Sequence, residues 1–320
     1  MSRLSLADVY RARQRIAGRA LVTPLLQSAA LSKVAGVPVY LKLETVQPTG
    51  SFKLRGATNA LAQLADEGCK RVVTASTGNH GRAVAYAARA LGIEAAVCMS
   101  SLVPRNKVDA VTALGARVVI EGKSQDDAQA EAQRLVREEG YAFVPPFDDP
   151  RVIAGQATIG MEILEALPDV ATIVVPLSGG GLFSGVAFAA KSIARATEMV
   201  GVSMERGAAM HASLEAGKAV HVDELETLAD SLGGGIGLEN RHTFEMTREL
   251  IDRVVLLDEV SIARGITHAY REERLVVEGA AAVGMAAVLD GAVRSRGPIV
   301  IVVSGCNIDI DTHRRLIGAA

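Results

Sequence analysis

The chain has 320 residues, 49% of them hydrophobic and 22% charged, with 34 basic against 36 acidic side chains and a formal charge of -2. That length supports one large or two moderate cores, and no basic block or aromatic-basic interleaving is present to engage nucleic acid. No uncharged run approaches the roughly 18 residues of a membrane span, and the opening MSRLSLADVYRARQRI lacks the apolar centre of a secretion signal, so a cytoplasmic protein is predicted.

After this amphipathic first helix comes PTGSFKLRGATN, residues 48–59, which sets Lys53 between a glycine-serine turn and a predicted helix. Short β-branched runs then alternate with helix-length segments: RVVTA at 71–75, GRAVAYAARAL at 81–91, EAAVCM at 94–99 and ARVVI at 116–120. The series continues with TIVVP at 172–176, VGVS at 200–203, RVVLL at 253–257 and PIVIVVS at 298–304. Strands that are apolar throughout, separated by helices, predict an α/β fold of parallel sheets covered by helices on both faces. Gly92 and Gly115 are placed to end helices, and Pro104 and Pro150 to begin them. In YAFVPPFDDP, residues 141–150, Pro145, Pro146 and Pro150 interrupt the alternation, which marks a crossing between lobes. Cys69, Cys98 and Cys306 show no paired spacing and read as reduced core thiols.

Parallel α/β sheets bind ligands beyond the C-terminal ends of their strands. Three loops stand there: ASTGNHGRA after 71–74, PLSGGGLFSG after 172–175 and SGCNID after 298–303. Three glycines, Gly179 to Gly181, preceded by Ser178 and followed by a helix, suit a phosphate, because backbone N–H groups and the helix dipole converge there. A flexible turn is the plainer alternative. A dinucleotide fingerprint fails, since its third glycine would fall at Ser184, and a P-loop fails because Arg117 stands where its first glycine belongs. In STGNHG the hydroxyls of Ser76 and Thr77, the amide of Asn79 and a helix N-terminus suit a carboxylate. His80 reads either as a base or, more commonly for a histidine in a tight turn, as a hydrogen-bonded structural residue. No zinc, calcium or nucleophile-elbow signature occurs, and no metal site is expected. A lysine, a phosphate cradle, a carboxylate turn and a polar strand end at Ser304 together call for a ligand with an aldehyde, a phosphate and a ring nitrogen. Pyridoxal 5'-phosphate has all three.

The ordered motifs SFKLRGA (51–57), STGNHG (76–81), PFDD (146–149), AGQATIG (154–160), SGGGL (178–182) and SGCN (304–307) span nearly the whole chain. In them the chain resembles the fold type II pyridoxal phosphate enzymes, in the threonine/serine dehydratase and serine racemase family. The resemblance implies a two-domain, tryptophan synthase β-like architecture, with a large cofactor domain of residues 1–47 plus 146–320 and a small domain of 48–145. It implies that Lys53 holds the cofactor covalently with Phe52 beside it, that Asn79 bonds the ring hydroxyl, and that Ser178, Gly179, Gly180, Gly181 and Leu182 hold the phosphate. Ser304 would face the ring nitrogen and Glu278 would line the ring pocket. Ser76, Thr77, Gly78, Asn79 and His80 would surround the substrate carboxylate, with Lys53, Ser76 and Thr77 taking part in catalysis. The implied activity is an ammonia-lyase eliminating water from a hydroxy amino acid in a homodimer; a serine-type racemase and a non-catalytic ligand-binding relative are the alternatives.

Several positions depart from the family pattern. Pro145 replaces a common histidine, and Ser203-Met204 replace the acidic-proline pair of a cation site, with Glu205 displaced and Gly207 and Ala209 following. The chain ends at Ala320 without a regulatory domain, so feedback control by isoleucine is not expected. SLGGGIGLENRHTF, residues 231–244, is similar to the hydroxyectoine utilization dehydratases, which implies a substrate derived from a cyclic hydroxylated osmolyte.

Overall fold

The computed structural model describes residues 4–76, 78–103 and 105–318. In chain order its elements begin with α1 (Leu6–Ile16), β1 (Leu25–Ser28), α2 (Ala29–Ala35), β2 (Val39–Leu43), α3 (Lys53–Asp66), β3 (Arg71–Ala75), α4 (Asn79–Leu91) and β4 (Glu94–Met99). They continue with α5 (Arg105–Ala113), β5 (Arg117–Ile120), α6 (Gln125–Glu139), β6 (Ala142–Phe143), α7 (Pro150–Ala166), β7 (Thr172–Pro176), α8 (Gly181–Ile193) and β8 (Glu198–Met204). The last are α9 (Ala209–Ala216), α10 (Thr243–Leu250), β9 (Arg253–Leu257), α11 (Glu259–Arg271), α12 (Gly279–Leu289), β10 (Ile299–Val303) and α13 (Ile310–Gly318).

The chain divides into two compact units, Met1–Leu21 with Gln47–Thr49 and Lys53–Gly155, and Val22–Val46 with Gly50–Phe52 and Gln156–Ala320. This division differs from the one expected from sequence at the N-terminus, around the proline-rich segment and at residues 47–52, where Gln47 groups with the first unit and Gly50–Phe52 with the second. The N-terminal 21 residues group with the unit that contains Lys53, because Ile16 and Ala20 are buried against Leu54 at the start of α3. The boundary near the proline-rich segment lies after Gly155, inside α7, and not at 145: Pro150 starts that helix, and residues 142–143 form a short edge strand before the prolines.

In the first unit a four-stranded sheet runs in the order β5-β4-β3-β6, and every pair is parallel. Successive side chains of β3 and β4 face opposite ways. Val72 and Val97 join the core under α3, α4 and α5, while Val73 and Cys98 join the core under α6. Both faces are thus covered, as the uninterrupted apolar runs predict. Gly92 ends α4 in the left-handed conformation at φ 67°, while Pro104 lies outside the described residues.

The second unit is built on a six-stranded sheet of order β1-β2-β10-β7-β8-β9. Four of its pairs are parallel, but β1 pairs antiparallel with β2, an edge hairpin the alternation did not reveal. β2 escaped notice because Lys42 interrupts its apolar pattern; the side chain is buried, and its Nζ lies 2.6 Å from Glu162 of α7 and 2.7 Å from the Thr23 carbonyl. A buried cation is tolerable only with such compensation. One face of the sheet packs on α2, α11 and α12 and the other on α7, α8 and α10. Among the cysteines, all free, only Cys98 is fully buried; Cys69 and Cys306 are half-buried, so the core reading holds for one of the three. No described helix is long and apolar enough to cross a membrane.

Ile301 lies at the centre of β10, paired with Leu41 and Val174, and a Cβ on Gly284 of α12 would come within 2.5 Å of its Cγ2. Ile301→Ala is expected to cost about 2–5 kcal/mol of stability, read from urea unfolding midpoints.

Candidate active site

Adjacent parallel strands end at the same sheet edge, so their following loops are neighbours. In the first unit this edge brings together the segments after β3 and β6. Ser76 and Gly78 form the turn after β3, and Gly78 caps α4, whose first two residues are Asn79 and His80. Gly81 permits the turn: a Cβ there would stand 2.3 Å from the Ser76 carbonyl oxygen. Thr77, expected to take part in catalysis, lies outside the described residues. Beyond β6, the Val144 N–H still bonds to the Val73 carbonyl, which extends the ladder to the prolines.

Two predicted residues meet backbone carbonyls of this segment. Lys53, the first residue of α3, donates from Nζ to the Pro146 carbonyl at 2.7 Å. His80 is 2% exposed, and its Nε2 lies 3.0 Å from the Val144 carbonyl. Because a carbonyl can only accept, this bond fixes the tautomer with hydrogen on Nε2. Burial, reinforced by the charge of Lys53, pushes the His80 imidazole down to about 3 against the upward pull of the Val144 carbonyl. The histidine is neutral and structural in this bond, not a base. Neither carbonyl was foreseen, since backbone acceptors leave no trace in side-chain motifs.

In the second unit β10 and β7 are parallel neighbours, so the SGCN and SGGGL loops share an edge. Gly180 caps α8 in the left-handed conformation at φ 87°, and no side chain caps that end. A Cβ on Gly180 would stand 2.7 Å from Met210 Cε and 2.9 Å from Thr247 Oγ1, so both conformation and packing demand glycine. The helix begins at Gly181, one residue earlier than predicted. Its first N–H groups have no intrahelical acceptor and point out of the loop. Leu182 is buried with its side chain in the core, so any part it plays in phosphate binding falls to its backbone.

Phe52, Glu278 and Ser304 gather at the end of β10. The Phe52 N–H donates to the Ser304 carbonyl at 3.0 Å, and the Glu278 N–H donates to Gly305 at 3.2 Å. Ser304 and Glu278 are buried, and Glu278 begins α12 as its cap residue. Gly305 lets the strand end approach Glu278 closely: a Cβ there would lie 2.7 Å from Glu278 Oε1 and 3.1 Å from Ser51 Cβ. The peptide leading into Lys53 is therefore tied to the strand end that carries Ser304. Among the described residues no cluster of three His, Cys, Asp or Glu side chains is placed to hold a metal ion.

The chain resembles known proteins along nearly its whole length. Residues 16–305 match the family model described as pyridoxal-phosphate dependent enzyme. A Sinorhizobium fredii protein provisionally named a threonine dehydratase is 56% identical over 319 residues, covering 99% of this chain and 96% of that one. The Thermotoga maritima L-threonine ammonia-lyase is 42% identical over 315 residues, covering 98% and 78%. The structure of maize serine racemase superimposes with a TM-score of 0.91 at 33% identity, covering 98% of this chain and 97% of the other. The residues fit the cofactor: the Gly180 cradle has no room for a side chain and opens onto helix N–H groups, which suits a dianion.

Two outcomes are expected. Gly180→Ala forces a side chain into the left-handed region at about 1–2 kcal/mol, which should weaken pyridoxal phosphate binding about tenfold in an equilibrium titration. An unfolded chain's imidazole protonates near 6.5, whereas native His80 resists until about 3. Its contribution to stability is therefore complete above pH 6.5 and lost as pH falls toward 3. His80→Gln should lose less of its urea midpoint than the parent between about pH 7 and about pH 4.

Proposed function

This chain belongs to the family of pyridoxal-phosphate dependent enzymes, and on that premise we propose that it is an ammonia-lyase, converting a β-hydroxy amino acid to a 2-oxo acid and ammonia. The observation that carries this reading is the Lys53 amine, held at 2.7 Å by a backbone carbonyl at the head of α3, in a chain 42% identical to a threonine ammonia-lyase.

The bound cofactor supplies an aldehyde that exchanges between amines and a ring that draws electrons from the substrate Cα. Lys53 provides the amine that holds the aldehyde and, once displaced by substrate, takes the Cα proton at Nζ. The N–H groups at the head of α4, with Ser76 and Asn79, bind the substrate carboxylate, where the helix dipole favours an anion. Ser178 and Gly179 to Gly181 hold the phosphate by backbone N–H groups. Ser304 would meet the ring nitrogen with a hydroxyl, which, unlike a carboxylate, would not protonate it. A hydroxyl in that position would favour expulsion of the β-hydroxyl over transamination. Water lost in this step is regained when the released enamine hydrolyses, so the net products are a 2-oxo acid and ammonia.

The finer reading is that the substrate derives from a cyclic hydroxylated osmolyte, as in hydroxyectoine utilization, within a cytoplasmic homodimer. Its support is the likeness of residues 231–244 to the hydroxyectoine utilization dehydratases, a stretch in which Gly234 and Gly237 adopt φ of 85° and 80°. The similarity to maize serine racemase makes racemisation the second reading.

Lys53→Ala should lose borohydride-trapped cofactor at that position and at least about 10²-fold in kcat. Parent protein given L-threonine or L-serine should release 2-oxo acid and ammonia; accumulation of the opposite enantiomer in their place would establish the racemase, and full turnover by Lys53→Ala would defeat both readings.

A further inference from the structure

We propose that Ser184 and Thr247, through their buried hydroxyls, are positioning residues for the phosphate cradle: they seat α10 against the head of α8 and hold Gly180 in the conformation that turns the loop's N–H groups outward. The inference rests on the reading of residues 178–181 as the loop that holds the phosphate.

Ser184 grips Gly180 from two sides. Its N–H donates to the Gly180 carbonyl at 2.7 Å, closing the first turn of α8. Its Oγ lies 3.3 Å from the Thr243 carbonyl and 3.1 Å from Thr247 Oγ1, both on α10. Ser184, Thr243 and Thr247 are all fully buried, so these bonds are not shared with bulk solvent. A serine hydroxyl has one hydrogen, and a carbonyl can only accept. With that hydrogen on the Thr243 carbonyl, Thr247 is the donor to Ser184 Oγ. The Thr247 oxygen so placed also bounds Gly180: a Cβ on that residue would stand 2.9 Å from it and 3.0 Å from Thr243 Cβ. The left-handed backbone of Gly180, at φ 87°, is thus backed by a hydroxyl whose own direction is fixed.

The wall behind the loop is fixed in turn. The cap residue of α10, His242, makes no side-chain cap bond, and Asn240 serves that end instead. Its side chain accepts from the Phe244 N–H at 2.8 Å and donates to the Ile236 carbonyl at 2.9 Å and to Thr243 Oγ1 at 2.8 Å. The glycine-rich 231–244 stretch is thereby fastened to the helix that backs the cradle. Around the hydroxyl pair the core is apolar, with Phe183, Val186, Met210 and Phe244 in one cluster. Apolar packing is non-directional, and polar groups inside it cost free energy unless they bond one another. Replacing both partners of a buried hydrogen bond by apolar groups of similar shape is close to neutral for stability. Alanine at 184 with valine at 247 would therefore serve the core alone as well; what the hydroxyls add is a single setting of α10 against Gly180.

The test strips full-length holoenzyme of cofactor and titrates it with pyridoxal phosphate and, in parallel, with pyridoxal, which lacks the phosphate. Thr247→Val, which keeps the shape and removes the hydroxyl, should bind pyridoxal phosphate about 5- to 10-fold more weakly, with pyridoxal affinity little changed. Thr247→Ser keeps the oxygen and should bind both as the parent does. The ³¹P resonance of the holoenzyme should shift in Thr247→Val and stay in place in Thr247→Ser. The double variant Ser184→Ala/Thr247→Val should recover the parental urea midpoint and still bind pyridoxal phosphate weakly, which a purely structural pair would not do. Parental pyridoxal phosphate affinity in Thr247→Val, an equal loss for pyridoxal, a Thr247→Ser variant as weak as Thr247→Val, or a double variant with parental affinity would overturn the proposal. Gly180→Ala keeps the two readings apart. If it binds pyridoxal phosphate as the parent does, the cradle reading fails and this inference with it; if it binds weakly while Thr247→Val binds normally, this inference fails alone.

Discussion

Parallel pairing is the constraint from which the functional geometry follows. Two adjacent strands running in the same direction must finish at the same edge of their sheet, so whatever follows each is delivered to a common place. Pairing of β3 with β6 sets the α4 cap turn beside the Val144–Pro146 segment. Pairing of β10 with β7 sets Ser304 beside the glycine loop. Neither juxtaposition requires the residues to be near in sequence: Lys53 and Pro146 are separated by 93 positions and share a hydrogen bond.

At these edges the backbone, more than the side chains, supplies the chemistry. Carbonyls of Val144 and Pro146 hold a histidine and a lysine, the Ser304 carbonyl holds the peptide before that lysine, and helix N–H groups face outward at α4 and α8. Backbone groups are fixed by the sheet and cost little further ordering, which preorganises a site more firmly than long side chains would. Close approach is the corollary, and it explains the glycines at 81, 180 and 305, each of which has backbone or a side-chain atom where a Cβ would stand.

Charge is handled differently away from the edges. Lys42 and Glu162 form a buried pair within the second unit, further satisfied by Thr23. His80 escapes the cost of burial by remaining neutral. The common rule is that an interior cation survives only with a partner, and an ionisable group without one stays uncharged.

By itself the sequence determined the alternating α/β plan, most parallel strands of the two sheets, the glycine loop and the lysine, because apolar periodicity and glycine spacing are local properties that one chain displays directly. It hid β2, whose pattern Lys42 breaks, and β1, a four-residue edge strand with exposed positions. It also misplaced the N-terminal segment and the proline-rich crossing, since the grouping of α1 with α3 and the continuity of α7 are set by packing. Only the tertiary structure decided the tautomer and charge of His80, the seat of the Lys53 amine and the burial of Leu182 in the core, because these depend on backbone atoms and burial that distant segments create on folding.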